Sequence, residues 1–120
     1  EYGTFETRKA ADAAGGVLES VHRTILNRKQ SPQSGSYVSS LFQGGLDRIL
    51  KKVVEEAGEV VLGSKNDRRE EVIYEVADLL FHVLVVLGYH GISLQAVYQE
   101  LANRIGKSGL RLEKKRGGDR

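Results

Sequence analysis

The sequence predicts an all-α fold, a four-helix-type bundle completed by homodimerisation, and three observations point there. Apolar residues recur at helical rather than alternating spacing through the patterned part of the chain. The single proline and the pair Gly44–Gly45 fall between those runs, where they break them. The chain has 120 residues, enough for one small domain, yet the run from Val72 to Val86 is apolar on nearly every side. A helix of that kind needs more neighbours than one short chain supplies, and a bundle shared with a second copy supplies them.

Residues 1–16 mix charge, Ala and Gly without a sustained period and read as a flexible lead-in. The folded domain is expected over residues 17–106. "VLESVHRTILNRK" sets Val17, Leu18, Val21, Ile25 and Leu26 at helical spacing, and "QSPQSGS" ends that helix in a loop. "YVSSLF" predicts a short helix before the glycine pair, and a long helix follows from about Leu46 to Ser64. In "KNDRREE", Asp67 is placed to cap the next helix, with Glu70 three residues later completing a capping box. That helix runs from about Arg68 to Tyr89 and stops at "HGIS", where Ser93 caps a last helix ending near Ile105. Residues 107–120 form a basic tail.

Composition excludes several classes of function. The net charge is +2 and the pI near 8.9 owes much to the tail, so there is no electrostatic case for nucleic acid or an anionic membrane as partner. Cysteine is absent, which removes disulfides, thiolate zinc sites and cysteine nucleophiles; any metal must be held by oxygen or imidazole. No apolar run approaches the roughly 20 residues of a membrane span, and the N-terminal stretch lacks the apolar middle of a signal peptide. A soluble, cytoplasmic protein is expected.

The polar residues carry the functional signal. Each helical residue turns about 100°, so Ile49, Val60, Val53, Ala57, Leu50, Val61 and Val54 fill an arc of roughly 140°, the expected core face. Glu55, Glu59, Lys52 and Glu56 lie to one side of it, with Glu56 about 20° from the apolar edge. On the next helix the exceptions to the apolar wrap are Glu71, Glu75, Asp78 and His82, all within about 60°. A buried charge without a partner costs several kcal/mol, so carboxylates on such a helix are paired or hold a metal. If the two helices run antiparallel, Glu56 and Glu59 face Glu75 and Asp78. Four converging carboxylates repel, and a hard divalent ion, magnesium or manganese, relieves that repulsion.

Taken singly, each feature has a plainer reading. Glutamates spaced as in "EEAGE" commonly form a solvated face. His82 either contacts substrate or is a hydrogen-bonded core histidine, and Lys52 either neutralises carboxylates or meets a phosphate. Glu71, near a helix start, is read as structural. The second acidic cluster, on a helix with no other polar face, shifts the balance towards function.

Glu55, Glu56 and Glu59 followed by Glu75 and Asp78 reproduce the EExxE and ExxD pair of the all-α nucleoside triphosphate pyrophosphohydrolase superfamily, which includes MazG-like enzymes. With "GSYVSSLF", "GGLDRILKKVVEEAGEVV", "SKND" and "EVADLLFHVLVVL" in this order, residues 18–106 closely resemble the phosphoribosyl-ATP pyrophosphatase family. The resemblance implies magnesium-dependent hydrolysis of phosphoribosyl-ATP to phosphoribosyl-AMP and pyrophosphate, the second step of histidine biosynthesis, by a homodimer. It implies Glu56, Glu59, Glu75 and Asp78 as metal ligands, with Glu55 beside Glu56 as helper or water-positioning base. Ser36, Tyr37, Lys52, His82 and Arg104 match recurrent family positions and are candidates for substrate binding. Arg104 either reaches a neighbouring subunit's site or is an ordinary surface arginine.

The chemistry agrees with that reaction. Attack on a polyphosphate needs charge neutralisation and an activated water, which a bound divalent ion and a free carboxylate supply. "GGLDRILKK" lacks Walker spacing, so phosphate is left to metal and scattered cations. Two rivals remain: a MazG-like enzyme acting on other nucleoside triphosphates, and a helical dimeric binding module without catalysis.

Overall fold

The computed structural model describes residues 16–105; the expected lead-in before Gly16 and the basic tail lie outside the described residues. Those described form five helices and no strands: α1 (Val17–Gln30), α2 (Tyr37–Gly44), α3 (Leu46–Lys65), α4 (Arg69–His90) and α5 (Leu94–Ile105). The all-α expectation holds, and the helix limits fall within one or two residues of those read from the sequence.

Each break has a local cause. Ser36 caps α2 by accepting the Ser39 N–H at 3.2 Å. Gly45 separates α2 from α3 at φ 91°, a conformation closed to other residues, so two helices change direction in one step. Gly91 ends α4 at φ 69°, with its own N–H on Gly88 O (3.2 Å) and the Ile92 N–H on Leu87 O (2.9 Å). Ser93 Oγ accepts the Ala96 N–H at 3.2 Å and starts α5, as its position in the sequence predicts.

The turn between α3 and α4 corrects the capping expectation. Asp67 does not cap α4. It sits at φ 55°, donating to Ser64 O (3.1 Å), while the Arg68 N–H reaches Gly63 O (3.2 Å). Asp67 therefore closes the C-terminus of α3 as the left-handed residue, and α4 starts after Arg68 without a side-chain cap. Aspartate tolerates that conformation better than most side chains, which is why it can occupy the turn.

The α3–α4 hairpin is the most extensive helix pair, and α1 and α2 close over it. Going down α3 from Gly63 to Glu56, the partner on α4 climbs from Glu71 to Asp78, so the helices run antiparallel. The core joins Val21 and Ile25 of α1, Val38 and Leu41 of α2, Ile49 of α3 and Phe81, Leu84 and Val85 of α4. Lys29 of α1 donates to the Gly88 carbonyl at 2.7 Å and ties α1 to the end of α4. The Tyr98 hydroxyl of α5 donates to Glu19 at 2.6 Å.

Two faces depart from the sequence reading. In α3 the chain buries only the edge of the apolar arc beside Glu56: Ile49 is fully covered, whereas Val54 is 71% exposed and Leu50 and Val61 also face solvent. In α4, Ile73, Val76, Leu80 and Val83 are exposed on the side away from the acidic stripe. No described helix covers either face. By length and hydropathy α4 is also apolar enough to cross a membrane, contrary to the expectation that no run comes near. It packs against α1 and α3 on one side and carries a stripe of carboxylates, as a helix of a bundle does.

Candidate metal and active site

The hairpin brings the two acidic motifs together. Glu56 is 7% exposed, an unusual burial for a carboxylate, and accepts from Lys52 Nζ at 3.3 Å. The same ammonium lies 3.6 Å from Glu55, whose side chain stays largely in solvent. Across the hairpin, Glu56 and Asp78 bring carboxylate oxygens within 4.8 Å of each other, and Glu75 is close enough to interact with Glu56. Glu59, one turn further along α3, is exposed and close enough to Glu75 to repel it. The structure thus gathers Lys52, Glu75 and Asp78 around Glu56, with Glu55 and Glu59 at the solvent edge.

The electrostatics show a cluster short of positive charge. Burial opposes ionisation of Glu56, but hydrogen bonds from Asp78, Lys52 and Glu75 outweigh it and hold this carboxyl below its ordinary range. Glu75 and Asp78 go the other way: burial first, then their bond to Glu56 and its charge, raise both. Glu56 is thus favoured in its charged form, and its two neighbours are not. One lysine does not balance the set.

His82, 2% exposed, borders the cluster. Its Nδ1 lies 2.8 Å from the Asp78 carbonyl, which can only accept, so Nδ1 carries the hydrogen. In the neutral ring Nε2 then accepts from the Tyr37 hydroxyl at 2.8 Å. Glu56, Asp78 and His82 present ligand atoms within 4.8 Å of one another. Both imidazole nitrogens are committed, however, which leaves an all-oxygen set. Clustered carboxylates with surplus negative charge fit a hard divalent cation.

The remaining candidates divide. Tyr37 joins the cluster through His82, and Ser36 stands next to it as the α2 cap. Arg104 does not join: it pairs with Glu100 on its own helix at 3.1 Å. The sequence missed the bond between Tyr37 and His82, which are 45 positions apart, with no local pattern to link them.

Residues 18–105 match the family model for phosphoribosyl-ATP pyrophosphohydrolase. The chain belongs to the phosphoribosyl-ATP pyrophosphohydrolase family. It is 52% identical over 94 residues to the phosphoribosyl-ATP pyrophosphatase of Geotalea daltonii, covering 78% of this chain and 89% of that protein. It is equally similar, at 52% over 94 residues, to the enzyme of that name from Leuconostoc mesenteroides, covering 78% and 82%. A histidine biosynthesis bifunctional protein of Caldanaerobacter subterraneus matches at 47% over 91 residues, 76% of this chain and 44% of that longer protein. Membership of this pyrophosphohydrolase family makes the chain a hydrolase, and the paired carboxylates of α3 and α4 are its candidate centre.

Proposed function

We propose that this chain hydrolyses the α,β-phosphoanhydride of phosphoribosyl-ATP, releasing pyrophosphate and phosphoribosyl-AMP, as a magnesium-dependent cytoplasmic homodimer in histidine biosynthesis. The observation that carries the reading is the meeting of Glu56 with Glu75 and Asp78 across the hairpin of a chain from this family.

Glu56, Glu59, Glu75 and Asp78 would hold the metal. Magnesium bound there would screen phosphate oxygens and lower the pKa of a coordinated water. Lys52, between Glu55 and Glu56, holds both carboxylates in register and supplies a positive charge for the leaving pyrophosphate. Glu55, on the solvent side of that ammonium, is placed to take the proton from the attacking water. His82, bonded to Tyr37, brings its Nδ1 within 3.5 Å of the Asp78 carboxylate. Mutual repulsion within the cluster keeps the carboxylates ready for a cation.

The exposed apolar faces of α3 and α4 support association with a second copy. Such a dimer could bring Arg104 towards the partner's site.

Pyrophosphate release with magnesium, on phosphoribosyl-ATP beside a panel of nucleoside triphosphates, tests the proposal. Preference for an ordinary triphosphate would overturn the substrate. Silence on every substrate would favour a binding module.

A further inference from the structure

We infer that the open hollow between the loop at residues 32–36 and α2 is the subsite for the ribose that carries the substrate's phosphates, with Tyr37 and Gln43 contacting the sugar. This rests on the reading of the acidic cluster as the phosphate-cleaving centre.

The hollow has a volume of about 690 Å³, within the roughly 300–1,000 Å³ of ligand pockets. Its polar lining comes from Gln33, Ser34, Ser36, Tyr37, Ser40 and Gln43, and no lining residue is charged. Hydroxyls and side-chain amides both donate and accept, as sugar hydroxyls do. A phosphate calls instead for cations, and the chemistry of this wall therefore matches the uncharged part of a nucleotide.

The wall is already formed. Ser39, 2% exposed, accepts the Gln33 N–H on its Oγ at 2.9 Å. The Ser36 N–H closes the loop onto Gln33 O at 3.1 Å, and Ser40 Oγ donates to Tyr37 O at 2.6 Å. A polar lining held by its own backbone loses little freedom when a ligand enters.

Position supplies the remaining link. Tyr37 lines the hollow and bonds to His82, whose other nitrogen is held by the Asp78 carbonyl. Tyr37 thus links the wall of the hollow, through the His82 ring, to the helix that carries Asp78. In a nucleotide the ribose is attached directly to the α-phosphate, beside the bond to be cut, so a sugar subsite has to adjoin the cleavage centre. The hollow at the α3–α4 turn is smaller, about 310 Å³, and its lining includes Arg68, Arg69 and Asp67, a charged wall unsuited to a neutral sugar.

Two measurements test the assignment. In steady-state hydrolysis, Gln43→Leu should raise KM for phosphoribosyl-ATP about fivefold to tenfold, the worth of about one hydrogen bond, with the loss falling on KM more than on kcat. Unchanged KM in a protein whose wild type turns over would overturn the subsite and leave the proposed reaction standing. Titration of 15N-labelled protein with AMP and magnesium reads the hollow without turnover. Shifts at amides 33–43 that weaken in Gln43→Leu are expected even if phosphoribosyl-ATP proves to be the wrong substrate. Shifts confined to other residues, or none at all, would refute the sugar subsite.

Discussion

Tyr37 Oη lies 2.8 Å from Nε2 of His82, and that histidine's Nδ1 is held by the carbonyl of Asp78. The arrangement ties α2 to the acidic stripe of α4 through one buried ring. Residues that orient metal ligands typically account for about 10–100-fold in affinity or activity. His82→Asn is therefore expected to lower kcat/KM by about tenfold or more and raise the magnesium needed for half-maximal rate, with the helical circular dichroism intact. Tyr37→Phe keeps the ring and loses its donor, so its cost should be smaller. Wild-type magnesium dependence in His82→Asn would reduce the imidazole to packing.

Removing charge from the cluster should separate activity from stability. Glu56→Gln and Asp78→Asn are each expected to abolish most pyrophosphate release. Without metal Asp78→Asn should melt no lower than wild type, since repulsion is relieved, whereas Glu56→Gln also loses the ion pair with Lys52 and should melt lower. Magnesium at 100 times its Kd should stabilise wild type by about 2.7 kcal/mol, and the variants should lose most of that gain. Calorimetry with and without magnesium checks this; an undiminished shift in Asp78→Asn contradicts the carboxylate cage.

The bare face of α4 gives a test of assembly. Leu80 is 46% exposed in the single chain and belongs to the patch with Ile73, Val76 and Val83. Leu80→Glu should convert a dimer to monomer in sedimentation or light scattering, because burying a charge there costs several kcal/mol. A dimer of unchanged mass would place the interface elsewhere.

His22 supplies a pH test away from the cluster. It is 8% exposed, burial lowers its pKa from 6.5, and among the described residues its Nε2 finds no hydrogen-bond partner. The unfolded imidazole takes a proton near pH 6.5 while the buried one stays neutral to lower pH. Its contribution to stability is thus complete above that value and is lost as pH falls through the depressed folded one. Denaturant midpoints should drop between about pH 7.5 and 5.5 by more in wild type than in His22→Leu. Equal drops would show that His22 is not the group responsible.

The helices were legible in the sequence because their apolar period is local, and so was the pairing of Glu56 with Asp78, since a hairpin and two wheel positions suffice to predict it. Asp67 misled because an aspartate before a helix and one closing the previous helix look alike until φ is known. Leu50, Val54 and Val61 misled for a different reason: an apolar arc marks a face suited to burial, not one that this chain itself covers. The Tyr37–His82 bond joins α2 to α4 across 45 positions, and no nearby residues encode that placement.

The turn at Asn66–Arg68 also bears on the order of folding. Because Glu56 and Asp78 lie on neighbouring arms of one hairpin, the acidic centre forms from short-range contacts, whose loop-closure entropy is small. The carboxylates can meet before α1 or α5 has docked, so a cation available during folding would favour the hairpin as a nucleus. Metal would then speed folding as well as stabilise its product.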